Sequence, residues 1–70
     1  MKVTSNCKIC NHSWEETFPD DAVVIDRTFQ HPKAYYNPYE AIKAGHRHHV
    51  FPQKICISCK SDNSHITRID

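Results

Sequence analysis

The chain has 70 residues, 39% of them hydrophobic and 24% charged, and its net charge is +1. This length favours one small domain spanning residues 1–70, and so balanced a charge argues against a protein that binds polyanions through bulk charge alone. The longest aliphatic run, Val23 to Ile25, is far shorter than the roughly 20 apolar residues of a membrane span. No apolar stretch follows Met1 and Lys2. We therefore expect a cytoplasmic protein without a secretory signal or membrane contact.

The first recognisable feature is a pair of cysteines, Cys7 and Cys10, that follows a short β-tolerant segment. Asn11 comes next, and we expect a positive φ there, because Asn tolerates left-handed backbone better than other non-glycine residues. Residues 12–18 mix polar and aromatic side chains, and we predict that they form a strand returning from the cysteine turn. The side chains sharing one face would be Trp14, Glu16 and Phe18.

A second strand is predicted over residues 22–29, which are rich in β-branched side chains. Val23, Ile25 and Phe29 are expected on one side of it.

A short helix is predicted over residues 38–44. Asn37 suits its N-cap, Pro38 its first position, and Glu40 completes a capping-box pattern. Gly45, the only glycine, stands where a left-handed C-terminal cap is expected. The side chains expected to face the core are Tyr39 and Ile42.

The second cysteine pair, Cys56 and Cys59, is expected between a strand over 50–55 and a final strand over 65–69. Two residues between cysteines allow a tight turn to aim both sulfurs at one ion, and two such turns form a tetrahedral four-sulfur site that suits Zn²⁺. These pairs contain all four cysteines. In a reducing cytoplasm, paired cysteines at this spacing are more often metal sites than disulfides.

The two cysteine turns, with their flanking strands over about 3–18 and 50–69, resemble the zinc-ribbon group within the rubredoxin-like folds. The resemblance implies two hairpins that clamp one structural Zn²⁺ through Cys7, Cys10, Cys56 and Cys59. Members of the group commonly have Gly directly after the second cysteine of each turn, where this chain has Asn11 and Lys60. The expected fold is a small metal-stabilised β-rich domain, zinc-ribbon-like, with one short helix inserted within about 19–49.

Two other uses of the cysteines stay open: iron in a rubredoxin-like electron carrier, and disulfides or free thiols. With zinc, four thiolates and one Zn²⁺ contribute −4 + 2 = −2, so the net charge would fall from +1 to −1. The metal is expected to decide folding. A core this small contributes about 3–5 kcal/mol, whereas structural zinc contributes roughly 10–16 kcal/mol of apparent binding free energy in finger peptides.

A basic-aromatic stretch follows the second predicted strand, and residues 31–70 carry six basic and three acidic side chains. Nucleic-acid binders use this mixture, because rings stack on bases while cations contact phosphates. The same rings could instead build the core or contact a protein. The candidate partner-binding residues are Lys33, Tyr35, Tyr36, Lys43, Arg47, His48 and His49.

The sequence favours a non-enzymatic module that contacts nucleic acid or a nucleic-acid-handling complex, with a protein-binding adaptor or inhibitor as the alternative. Ser58 and Ser61 lack an evident triad setting, and a single glycine cannot form a glycine-rich phosphate loop. His46, His48 and His49 are expected to be solvated surface residues rather than a second metal site.

Overall fold

The computed structural model describes residues 1–28 and 31–70. Within these residues the chain forms six short strands and one helix, arranged as two three-stranded sheets beside α1. The elements in chain order are β1 (Lys2–Cys7), β2 (Ser13–Thr17), β3 (Val23–Ile25), β4 (Ala34–Tyr35), α1 (Pro38–Lys43), β5 (His49–Val50) and β6 (Ser64–Ile69). The prediction of a small β-rich protein with one short helix is confirmed.

The first sheet has the order β2-β1-β6, with β1 antiparallel to both neighbours. Burial alternates along β1, so that Val3, Ser5 and Cys7 face the interior. Cys7 ends the strand and pairs with Ser64 at the start of β6. The sheet therefore holds the first cysteine at one of its ends.

The second sheet has the order β4-β3-β5, and all its strands are parallel. Its central strand buries two consecutive residues, Val23 and Val24, as parallel strands covered on both faces do. The predicted one-sided pattern of Val23 and Ile25 is therefore wrong, because Val24 is completely buried and Ile25 only half-buried.

β3 is also shorter than the strand predicted over 22–29. Directly after Ile25, the Oδ1 of Asp26 accepts hydrogen bonds from the backbone N–H (2.6 Å) and Oγ1 (2.7 Å) of Thr28. This local turn ends the strand, because an Asp side chain competes with the ladder for backbone groups. Phe29, which was expected on the same strand, lies outside the described residues.

One core joins the two sheets. Val3 of β1 packs with Ile66 and Ile69 of β6, and Val24 of β3 completes the cluster. The segment between the cysteine turns therefore packs on the same apolar centre as the strands that carry them.

The helix has the caps that its sequence predicts. The Oδ1 of Asn37 accepts the backbone N–H of Glu40 at 2.9 Å, and Gly45 has a φ of 91°. At the other end, the N–H groups of Gly45 and His46 donate to the carbonyls of Ile42 and Ala41, both at 3.0 Å. This is the Schellman pattern of C-terminal capping.

The face that the helix buries differs from the predicted one. Tyr39 is 77% exposed and Ile42 60% exposed, whereas Ala41 is completely buried. The helix has only six residues and approaches its neighbours through this small side chain. The prediction that Tyr39 and Ile42 face the core is therefore wrong.

The predicted strand over 50–55 is also wrong, since β5 ends at Val50. Pro52 has no backbone N–H to give to a ladder. The N–H of Gln53 donates instead to the Oε1 of Glu16 at 2.7 Å, and the Oγ of Ser64 donates to the carbonyl oxygen of Lys54. The second cysteine turn thus joins a strand-free segment to β6 rather than closing a β-hairpin.

Candidate metal centre

The first cysteine turn is closed by two backbone hydrogen bonds. The N–H of Cys7 donates to the carbonyl of His12 at 2.8 Å, and the N–H of Asn11 donates to the carbonyl of Cys7 at 2.9 Å. Asn11 has a φ of 62°, which confirms the predicted left-handed backbone. Its Oδ1 accepts from the Nδ2 of Asn6 at 3.2 Å. The turn therefore folds back on the strand that precedes it.

The second cysteine turn repeats this arrangement. The N–H of Cys56 donates to the carbonyl of Ser61 at 2.9 Å, and the N–H of Lys60 donates to the carbonyl of Cys56 at 2.7 Å. Lys60 has a φ of 61°. Two segments far apart in sequence thus present their cysteines with matching backbone geometry.

The four sulfurs form one cluster, all within 4.8 Å of one another. The closest pairs link the two turns: Cys7 to Cys59 and Cys10 to Cys56, both with 3.5 Å between Sγ atoms. A disulfide would need about 2.05 Å, so the thiols are free. Tetrahedral coordination with metal–sulfur bonds of about 2.3 Å places sulfurs about 3.8 Å apart. The four cysteines are therefore positioned to hold one metal ion.

Each turn contributes one buried and one exposed cysteine to this cluster. Cys7 and Cys56 are completely buried, whereas Cys10 and Cys59 lie at the surface. One side of the site is therefore enclosed by the protein, and the other side is accessible to solvent.

The two cysteines of one close pair, Cys7 and Cys59, have pKa values that are shifted in opposite directions. Hydrogen bonds from the backbone of Cys10, and then of Ile9, lower the pKa of Cys7 to about 7 despite its burial. The backbone of Ser61 lowers the pKa of Cys59. Partial desolvation of its sulfur, although the residue lies at the surface, and the other three sulfurs outweigh that hydrogen bond and raise this pKa to about 12. Four neighbouring thiols therefore cannot all ionise easily unless a cation offsets their charge.

The histidines do not add a second cluster. Among the described residues, the four cysteines are the one group of three or more His, Cys, Asp or Glu side chains close enough to share an ion. The Nε2 of His46 contacts the hydroxyl of Tyr35 at 3.0 Å, and the Nε2 of His49 lies 3.2 Å from the carbonyl of His46. His48 lies 3.6 Å from a carboxylate oxygen of Asp21.

Near the cysteine turns, the ring of His12 stacks on Trp14 with 5.9 Å between centroids. The Nε1 of Trp14 and the Nδ1 of His65 are buried without a hydrogen-bond partner among the described residues.

The predicted partner-binding residues divide into two groups. Tyr35 and His49 are half-buried, and both take part in the contacts around His46. The members that are exposed to solvent are Lys33, Tyr36, Lys43, Arg47 and His48.

One neighbour of this surface was missed. The guanidinium of Arg27 lies 5.4 Å from the centre of the Tyr36 ring, a cation–π distance. No local pattern could have found this pair, because the pairing of β3 with β4 brings the two residues together.

Comparison with known proteins identified no relative of this chain. A scan against protein-family models, a search of curated proteins and a search of solved structures each found no match. In the part of the chain that the structure describes, no helix is long and apolar enough to cross a membrane.

Proposed function

We propose that this protein is a non-enzymatic zinc-binding module that contacts nucleic acid, or a complex that handles it, through a basic-aromatic surface. The observation that carries the proposal is the exposed Tyr36 ring, 57% accessible, with the Arg27 guanidinium 5.4 Å from its centre. The metal centre would hold the two ends of the chain together so that the segment between them presents this surface.

Zinc is the metal that the four-cysteine set favours. Four thiolates at tetrahedral spacing match structural zinc sites, and such a site leaves no open position for a water molecule. Hydrolysis at the metal is therefore disfavoured.

Iron would accept the same four sulfurs, so elemental analysis and the colour of the protein distinguish zinc from iron. A colourless protein with one zinc per chain supports the proposal, and a coloured iron protein would support the electron carrier instead.

The basic-aromatic surface has the chemistry that single-stranded nucleic acid requires. A ring can stack on a base of any sequence, with a contribution of about 1–3 kcal/mol per base. Lys43 and Arg47 are exposed beside it in sequence and can contact phosphates, which releases condensed counterions. Binding should therefore weaken steeply as the salt concentration rises.

The test is fluorescence anisotropy of a labelled single-stranded oligonucleotide with the zinc-loaded protein at several salt concentrations. The Lys43→Ala/Arg47→Ala double variant should bind more weakly and lower the magnitude of the salt slope by about 1.4, since each phosphate contact contributes about 0.7 on a single strand. A matched control is Lys2→Ala/Arg68→Ala, which removes two cations of the first sheet that pair with Glu15 and Asp70. If both double variants behave alike, this surface is not the nucleic-acid site.

A protein-binding adaptor is the second candidate, because Tyr39 and Ile42 expose a small apolar face of α1. If the wild-type protein does not bind RNA or DNA at any salt concentration, this candidate is favoured over the first.

A further inference from the structure

A cleft of about 390 Å³ lies where the end of β3, the start of α1 and the segment after β5 meet. Its volume falls within the range of ligand pockets, about 300–1,000 Å³. The side chains that give it chemical character are Asp26, Arg27, Tyr36, Asn37, Phe51 and Lys54.

Two aromatic rings from separate segments line this cleft. Tyr36 is 57% exposed and Phe51 is 66% exposed, so most of each ring meets solvent. Exposed apolar surfaces that cluster in one patch are typical of binding sites. A flat aromatic ligand could cover both rings together.

The charges around the rings favour an anionic ligand. Arg27 and Lys54 contribute two positive charges to the lining, against the single carboxylate of Asp26. That carboxylate already accepts two hydrogen bonds from Thr28, at 2.6 and 2.7 Å. The guanidinium of Arg27 lies close to the Tyr36 ring, so a group stacked on Tyr36 would have a cation beside it.

We propose that this cleft holds one unpaired base of a single-stranded nucleic acid, stacked on Tyr36 and Phe51, with Arg27 and Lys54 at the flanking phosphates. This inference rests on the proposed function and names the part of the nucleic acid that the surface recognises. The bases of a duplex have their faces covered by their neighbours and cannot enter. The protein therefore prefers single strands to duplexes of the same length.

The test compares Tyr36→Leu and Phe51→Leu with Tyr39→Leu, which removes an exposed ring of α1 outside the cleft. Binding of a labelled single strand to the zinc-loaded proteins is measured by anisotropy. Each cleft variant should bind about fivefold more weakly or worse, and the Tyr39 variant should stay within about twofold of wild type. The salt slope should be unchanged in all three, because none loses a charge.

A second arm does not depend on the folding of any variant. Wild-type protein is titrated with an oligonucleotide of abasic sites, which keeps the phosphates and lacks the bases, and with a duplex of the same length. Both should bind at least about fivefold more weakly than the single strand. Equal binding of normal and abasic strands, or cleft variants that match Tyr39→Leu, would overturn this inference, whereas salt-dependent nucleic-acid binding through Lys43 and Arg47 would still stand. Absence of any nucleic-acid binding by wild type would overturn both.

Discussion

Asn11 and Lys60 occupy the same position in the two cysteine turns and share a left-handed backbone, with φ values of 62° and 61°. Each follows the second cysteine of its pair, and each donates its N–H to the carbonyl of the first cysteine. Among the described residues they are the two non-glycine positions with positive φ. The geometry of the cysteine turn thus imposes this conformation, whichever residue occupies the position.

Lys60→Gly should stabilise the zinc-loaded protein. Left-handed backbone costs a non-glycine residue about 1–2 kcal/mol, and Gly would remove this cost. The greater conformational freedom of Gly in the unfolded chain offsets about 0.4–1 kcal/mol of the stabilisation. The expected net increase in the free energy of unfolding is about 0.5–1 kcal/mol, measured by denaturant titration at saturating zinc. Asn11→Gly should gain less, since Asn tolerates this conformation and its side chain accepts a hydrogen bond from Asn6.

The matched control is Lys8→Gly, which replaces an exposed lysine of the other turn at a position without positive φ. It should destabilise the protein. If Lys60→Gly destabilises as much as Lys8→Gly, backbone strain at Lys60 is not the relevant term.

The N-cap of the helix offers a second prediction. Asn37→Ala removes the acceptor that Glu40 uses at 2.9 Å and should lower the free energy of unfolding by about 0.5–2 kcal/mol. Asn37→Asp and Asn37→Ser keep an acceptor and should retain most of the stability. Thermal unfolding of the three zinc-loaded variants decides the matter, and equal losses in all three would argue against a capping role.

Val24 tests whether the segment between the cysteine turns shares one core with the first sheet. It is completely buried and packs with Val3, Ile66 and Ile69. Val24→Ala should cost about 1–3 kcal/mol, and one cooperative transition should shift as a whole. Val50→Ala, at a half-buried position of β5, is the milder comparison. A variant that melts in two separate steps would show that the inserted segment folds independently.

The features that the sequence predicted correctly are governed by local chemistry. The backbone of Asn11, the Asn37 cap and the left-handed Gly45 each follow from residue type and immediate neighbours. The clustering of all four sulfurs joins distant segments, but it was predictable because two cysteine pairs of this spacing together supply the four ligands of one tetrahedral site.

The features that it missed depend on contacts between distant segments. The parallel pairing of β3 with β4 and β5 buries Val24. A strand of three residues is too short for its periodicity to predict this burial. Ala41 faces inward rather than Tyr39 or Ile42, because the helix packs on its neighbours through the smaller side chain. The cleft likewise unites Arg27, Tyr36 and Phe51 only after folding.

Metal binding should release protons. In the folded arrangement of the sulfurs without a cation, Cys59, with a pKa of about 12, would keep its proton at pH 7, and Cys7, with a pKa of about 7, would be about half ionised. In an unfolded chain both thiols would be largely protonated, since a free cysteine has a pKa of about 8.5. Coordination requires thiolates, so the free state binds more protons than the complex, and zinc affinity should rise as pH increases from 6 to 8.

A zinc titration in weakly buffered solution at pH 7 with a pH indicator measures this release. Release of more than one proton per ion is expected, because the Cys59 thiol and the protonated half of the Cys7 population must both ionise to coordinate the ion. Release of none would show that the cysteines do not coordinate the ion as thiolates.

The most direct test is the far-ultraviolet circular dichroism and melting curve of protein stripped of metal by a chelator under reducing conditions. We predict that the β spectrum and the cooperative transition are lost and that one equivalent of Zn²⁺ restores both, because a small core alone contributes only about 3–5 kcal/mol. Metal-free protein with an unchanged spectrum and melting temperature would contradict a fold held together by one ion between its two cysteine turns.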